Sequence, residues 1–375
     1  MQQVNLLIKP ASSLCNMRCR YCFYTDETAY QTDVHPSVMS MDTADCLIAR
    51  TREALDTDGT ASFSFQGGEP TLAGLPFFRH FVNQVNATGM CARYAIQTNG
   101  LAITPEWITF FKENQFLIGI SLDGDASTHD QMRPDAAGQP TSRHVLDSIR
   151  MLQDAGIPYN LLCVVNRYTA ASPKQTFRYL RTLGQYLQFI PCLDPLDAMR
   201  GSMPWSLTPE DYGRFLCETF ETWLSSWRSG RYVSVRFFDD IIHLAMGQAP
   251  SSCACSGTCG ETLVIEADGS VYPCDFYALD EWKLGTLQST FDELLQSPGM
   301  NRFKARSLHK PAACQRCPFF TLCRGGCPRD WTSGPETANY YCSALQTFFK
   351  KAESGIAEIA QAELNAMQHA VSKSF

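Results

Sequence analysis

Eleven of the seventeen cysteines in this 375-residue chain fall into two groups at opposite ends of the sequence, and any fold must gather that many thiols productively. Cys15, Cys19 and Cys22 form a C-x3-C-x2-C set in the loop expected after the apolar run VNLLI, and Phe23 and Tyr24 follow at once. Cys253, Cys259, Cys274, Cys314, Cys317, Cys323, Cys327 and Cys342 form the second group. Cysteine is about 4.5% of the chain, below the roughly 8–10% of a short disulfide scaffold. The start, MQQVNLLIKPASS, has a five-residue apolar run with no basic segment before it, so no export signal is expected. A cytoplasmic setting follows, where clustered thiols bind metal more often than they form disulfides.

Three thiolates so close can hold three corners of a cubane and leave one iron open to a small molecule. A zinc knuckle would need a fourth nearby ligand, and the nearest histidine, His35, lies thirteen residues beyond Cys22. The eight distal thiols make two complete sets of four. On spacing alone, two structural zinc sites would fit them as well as two iron–sulfur clusters. Cys46, Cys91, Cys163, Cys192, Cys217 and Cys255 are isolated, and most should be buried small apolar residues. Cys255, between two proposed ligands, has no assigned role.

The remaining sequence predicts a globular α/β enzyme. Hydrophobic residues are 45% and charged residues 18%, and the length suits one large α/β barrel or a barrel with an appendage. A net charge of -7 offers no surface for a phosphate backbone, so nucleic acid is an unexpected partner. No apolar stretch approaches the ~18 residues of a membrane span, so no membrane association is expected. From residue 4 to about 190, short β-rich runs alternate with amphipathic stretches, the pattern of repeated βα units. Several strand ends pass directly into polar or glycine-rich residues: Gln66-Gly67-Gly68-Glu69-Pro70, Gln97-Thr98-Asn99-Gly100 and Ser121-Leu122-Asp123-Gly124. Ligands gather at such carboxyl ends. The expected division is a barrel over 1–200, linking helices over 201–252 and a cysteine-rich domain with a closing helix over 253–375. Within the last, ETLVIEADGSVYPCDFY reads as a hairpin about Asp268-Gly269.

Together, the cysteine loop, Gly67-Gly68-Glu69-Pro70 and the strand pattern resemble the radical S-adenosylmethionine superfamily, whose catalytic domain is a partial (β/α)6 barrel. The distal cysteines resemble the SPASM extension, which carries two auxiliary four-iron clusters. LLIKPASSLCNMRCRYCFY, FQGGEPTLAG, LQFIPCLDP and DGSVYPCDFY resemble one branch, the anaerobic sulfatase-maturating enzymes. The resemblance implies three four-iron four-sulfur clusters and S-adenosyl-L-methionine as cofactors. Cys15, Cys19 and Cys22 would hold the first cluster, Cys253, Cys259, Cys274 and Cys327 the inner auxiliary cluster, and Cys314, Cys317, Cys323 and Cys342 the outer one. Gly67, Gly68 and Glu69 would bind the methionyl ammonium, with Ser121, Asp123 and Arg133 as further cofactor contacts. Asp275 would be the catalytic base, and Tyr24 and Gln66 would touch substrate.

The implied reaction is hydrogen abstraction from Cβ of a sulfatase Cys or Ser by a 5'-deoxyadenosyl radical, yielding Cα-formylglycine. The implied partners are a sulfatase polypeptide bearing C/S-x-P/A-x-R and an electron donor such as flavodoxin or ferredoxin, with the auxiliary clusters removing the second electron. Two other readings are a SPASM peptide maturase forming thioether or carbon–carbon crosslinks, and a zinc-stabilised interaction protein. The first often begins with a precursor-binding domain, whereas here the barrel is expected to start by Leu6.

Overall fold

The computed structural model describes residues 1–32, 37–260, 262–332 and 337–372. Six strands follow the expected rhythm: β1 (Gln3–Ile8), β2 (Thr60–Phe65), β3 (Cys91–Thr98), β4 (Leu117–Ser121), β5 (Tyr159–Val165) and β6 (Tyr186–Pro191). Helices such as Met41–Ala54, Leu75–Ala87, Pro105–Glu113, Ser142–Ala155 and Pro173–Leu183 separate them. This succession is that of the expected partial (β/α)6 barrel. Four short strands come later: β7 (Ser234–Val235), β8 (Leu263–Ile265), β9 (Ser270–Tyr272) and β10 (Gly285–Thr286).

The chain forms two compact units that interleave along the sequence: 1–162 with 194–199 and 260–304, and 163–193 with 200–259 and 305–375. In the first, β1 to β5 pair in parallel, in register from Gln3↔Thr60 to Ser121↔Leu162. The free edge of β1 takes β8 in parallel, and β8, β9 and β10 continue antiparallel. The hairpin therefore returns a late segment to the first strand. Its turn forms as the sequence suggests. Gly269 has φ +85, and Asp268 accepts hydrogen bonds from the Ser270 backbone and hydroxyl at 2.8 Å each.

Alternation on β1 and β2 buries Val4, Leu6, Ile8, Ala61, Phe63 and Phe65. Behind them the helices supply Phe77, Phe78, Phe81, Trp107, Phe110 and Phe111. Their rings meet edge to face, with Phe65–Phe78 centroids at 4.8 Å and Phe63–Phe81 at 5.1 Å, a geometry that the ring quadrupoles favour. This aromatic layer makes the strand ends a firm platform.

The second unit is mainly helical. Helix Pro209–Arg228 packs on helices Pro173–Leu183 and Cys342–Ser372, the last also touching Arg236–Ala245. Gly213 lets two helices close up, since a Cβ there would stand 3.2 Å from Ala344 Cα. Phe220, Phe238 and Phe348 fill the seam, with centroids 5.2 to 5.8 Å apart. Of the isolated cysteines, Cys163, Cys192, Cys217 and Cys255 are buried, Cys46 is half-buried and Cys91 is exposed. Among the described residues no helix is long and apolar enough to cross a membrane.

Candidate active site

The site lies in the first compact unit, where β1 and β2 end. After Ile8 the chain enters the cysteine loop, which turns through Ser12 N–Lys9 O and Leu14 N–Ala11 O hydrogen bonds. The loop is strapped to the segment after helix Ala126–Met132: Arg18 N donates to Pro134 O, Arg20 N to Met132 O, and Ala136 N to Asn16 O, all between 2.8 and 3.1 Å. Asn99, at the end of β3, donates to Asn16 Oδ1 at 2.7 Å and faces Cys15 Sγ at 3.7 Å. Loop segments are normally mobile, but these bonds fix where the three sulfurs stand.

The turn after β2 comes closer still. Gly67 and Gly68 have φ of +92 and +52, a region that side chains rarely adopt. A Cβ on Gly68 would run into Leu14 O and stand 2.8 Å from Ser12 O. Glu69 N donates to Leu14 O at 2.7 Å. The Glu69 carboxylate is buried and fully engaged: Oε1 accepts from the Thr71 backbone and hydroxyl and from the Thr98 hydroxyl, and Oε2 from Asn99 N at 2.7 Å. One carboxylate thus ties together the ends of β2 and β3.

Cys15 and Cys19 are pushed to higher pKa chiefly by burial, Cys19 to about 12 although the Arg133 guanidinium pulls it down. Cys15, Cys19 and Cys22 lie within electrostatic reach of one another. Metal ligation takes thiols as thiolates, so a metal group bound there would release their protons. Among the described residues no group of three or more His, Cys, Asp or Glu side chains is arranged to hold a single metal ion. Three thiols with no nitrogen or oxygen ligand among them form the soft donor set that iron–sulfur clusters take. His35 lies outside the described residues.

On the far side of the loop, Asp123 follows β4, where Ser121 is its last residue. The Asp123 carboxylate accepts hydrogen bonds from Tyr21 Oη and from Arg133 Nε, the latter at 3.1 Å. The Arg133 Nη1 faces Cys19 Sγ at 3.8 Å, and its guanidinium stands over the Tyr21 ring. Buried His129 accepts from Asp123 N and meets the Thr141 hydroxyl, and burial lowers its pKa to about 4. It is a neutral brace.

Tyr24, Gln66 and Asp275 converge from three segments far apart in sequence. Asp275 opens the single turn Asp275–Tyr277 directly after Cys274. Its Oδ2 accepts from Tyr24 Oη at 2.7 Å and Gln66 Nε2 at 3.0 Å, and Gln66 also donates to Tyr24 Oη at 2.7 Å. Its buried Oδ1 has no hydrogen-bond partner among the described residues. Burial lifts the Asp275 carboxyl above its usual range, against the pull of Lys9 and the Tyr24 and Gln66 hydrogen bonds.

In the second unit, Cys314, Cys317, Cys323 and Cys342 line one pocket and lie within electrostatic reach of one another. Cys327 similarly feels Cys253 and Cys259. Cys274 belongs to the first unit. Buried Asp240 accepts from the backbone of Ser251 at 2.6 Å and of Ser252 at 3.2 Å, which fixes the approach to Cys253.

Asn99 lies in a strand end that the sequence marks, whereas no sequence motif gives a role to Lys9, Tyr21, Glu27, His129 or Glu266. Lys9 carries the one available signal, a charge ending an apolar strand where ligands gather.

Residues 10–180 match the radical SAM superfamily and residues 253–318 an iron-sulfur cluster-binding domain. A cysteine-type anaerobic sulfatase-maturating enzyme of Clostridium novyi is 40% identical over 96% of this chain and 98% of its own. A serine-type anaerobic sulfatase-maturating enzyme of Bacteroides thetaiotaomicron is 30% identical over 92% and 88%. A solved structure of native anSMEcpe with bound AdoMet and a Kp18Cys peptide superposes with a TM-score of 0.90 at 37% identity, covering 96% of this chain and 99% of that one.

The Gly68 contact yields a test. Gly68→Ala must displace the Leu14 carbonyl beside Cys15; if Cys15, Cys19 and Cys22 hold a four-iron cluster, anaerobically reconstituted protein should lose roughly four irons per chain, with its circular dichroism little changed. Full iron content would show that the loop absorbs the methyl group.

Proposed function

The chain belongs to the anaerobic sulfatase-maturating enzymes of the radical SAM superfamily, and from that premise we propose that it converts an active-site cysteine of a sulfatase to Cα-formylglycine. The radical SAM and SPASM regions imply iron–sulfur clusters and S-adenosylmethionine. We assign three four-iron clusters to the eleven cysteines in the sets given above. Cysteine rather than serine is the proposed substrate residue, supported by 40% identity to a cysteine-type enzyme against 30% to a serine-type one. Oxygen-free cytoplasm suits this chemistry.

When bound, the Cys15/Cys19/Cys22 cluster and S-adenosylmethionine supply a 5'-deoxyadenosyl radical, which removes hydrogen from substrate Cβ. The protein binds, orients and moves a proton. Backbone carbonyls in the Gly67–Glu69 turn accept from the methionyl ammonium. The Glu69 side chain cannot swing to assist, because both its oxygens hold the strand ends. Arg133, steadied by Asp123, keeps a cation beside the cysteine loop, where it suits the cofactor carboxylate. Ser121 contributes from the end of β4.

The observation that carries the reading is the Asp275 carboxylate, with one oxygen tied down and the other buried and available. Oδ1 takes the thiol proton while Tyr24 and Gln66 hold Oδ2 and border the substrate. Loss of the Cβ hydrogen to the radical, of the thiol proton to Asp275 and of one further electron, which the proposed auxiliary clusters would accept, leaves a thioaldehyde. Water replaces its sulfur to give the aldehyde and hydrogen sulfide.

Anaerobic incubation with S-adenosylmethionine, reductant and C-x-P-x-R or S-x-P-x-R peptides tests the proposal by mass spectrometry. The C-x-P-x-R peptide should lose mass as formylglycine forms, faster than its serine counterpart. No aldehyde from either peptide would refute the activity. Reconstituted enzyme should hold about twelve irons, and a value near four with zinc elsewhere would remove the auxiliary clusters. Asp275→Asn should keep the irons and 5'-deoxyadenosine formation while formylglycine drops by at least the ~10²-fold of a positioned base. Deuterium on the peptide Cβ should still reach 5'-deoxyadenosine. Aldehyde at the parent rate would return Asp275 to a structural role.

A further inference from the structure

Near Asp275 lies a buried cation that the reaction as described does not use. Lys9 directly follows β1 and is 2% exposed, and its backbone N donates to Ile265 O at 2.8 Å. Its Nζ pairs with Glu266, itself 0% exposed, and lies 3.9 Å from Glu27 Oε2. The same Nζ stands 5.0 Å from the centroid of the Tyr24 ring. Its stem fills the space beside Gly67, where a Cβ would come 2.8 Å from Lys9 Cε. One side chain therefore borders both the cofactor turn and the tyrosine that holds Asp275.

A buried ion pair is weak support for a fold, because apolar side chains of equal volume often serve as well. A desolvated ammonium over an aromatic face has a directional effect that an apolar side chain lacks. Its position here is fixed from below by two glutamates and along its stem by the glycine turn. The Tyr24 ring faces that ammonium, and the Tyr24 hydroxyl is the group bonded to Asp275 Oδ2.

We propose that Lys9 is a positioning residue for the substrate pocket: its ammonium, held by Glu266 and Glu27, fixes the Tyr24 ring and thereby the hydroxyl that orients Asp275. The inference rests on reading Asp275 as the base. The effect of Lys9 falls on how faithfully each cofactor cleavage ends in aldehyde.

The test compares full-length, anaerobically reconstituted Lys9→Met and Lys9→Arg with the parent on the C-x-P-x-R peptide. Lys9→Met keeps most of the stem and removes the charge. Its iron content and 5'-deoxyadenosine formation should match the parent. Formylglycine per 5'-deoxyadenosine should fall at least about tenfold at saturating peptide, inside the roughly 10²-fold effect of ångström-scale misplacement. The loss should appear in kcat and not in KM, and Lys9→Arg should recover most of it. A crystal structure of Lys9→Met should show Tyr24 moved off Asp275 Oδ2.

Lys9→Met also strands Glu266, so Lys9→Met/Glu266→Gln is the second variant. A low ratio in this variant supports the inference. A parent-like ratio would mean that Lys9 only neutralises Glu266, and would overturn it. A parent-like ratio in Lys9→Met with the Tyr24–Asp275 bond intact would overturn it as well. If instead Asp275→Asn makes aldehyde at the parent rate, the base assignment fails, and the Tyr24 position in the Lys9→Met crystal still decides what Lys9 holds.

Discussion

The contact on which the site depends is the passage of the Gly67-Gly68 turn against the backbone of residues 12–14. No side chain fits there, because a Cβ on Gly68 meets Leu14 O and one on Gly67 meets the Lys9 stem. Both glycines also use positive φ. Their small size brings the end of β2 onto the cysteine loop, and the Glu69 N–Leu14 O hydrogen bond then locks the two together. Cys15, the glycine turn and Gln66 occupy their places because of that approach.

Buried charge is the second organising element. Lys9, Glu27, Glu266 and Asp275 share the region beneath the pocket, and Asp123 with Arg133 lies beside the cysteine loop. An isolated charge at such depth would be costly. Burial opposes the charge on Lys9, but Glu266, Glu27 and Asp275 outweigh it and hold the ammonium above the usual lysine range. These groups constrain one another. Tyr24 meets the Lys9 ammonium with its ring and Asp275 with its hydroxyl, and Arg133 meets Asp123 and the Tyr21 ring.

The two compact units solve different problems. The first has parallel strands with a thick aromatic layer, so its loops can be irregular without loss of a core. The second is built mainly of long helices, and its cysteine-bearing segments from 312 to 330 are single turns such as Ala312–Arg316, Phe320–Cys323 and Pro328–Asp330. Such turns bury little apolar surface on their own. Metal ligation supplies the missing order in small cysteine-rich regions, and the Asp240 carboxylate adds a protein-built brace before Cys253.

The sequence by itself determined the barrel strands, the hairpin about Asp268-Gly269 and the cysteine groups, because period-two alternation, turn residues and ligand spacing are local properties. It also pointed to Gly67-Gly68-Glu69 as a strand-end turn. Motif resemblance, not spacing, drew attention to Tyr24, Gln66 and Asp275. Only the tertiary structure decided that these three share one hydrogen-bonded network, since residues 24, 66 and 275 come together through the return of β8 to the edge of β1. The same return carries Glu266 to Lys9. No local pattern encodes a pairing across more than 250 residues; it exists because parallel pairing at the edge of β1 sets both side chains at one end of the sheet.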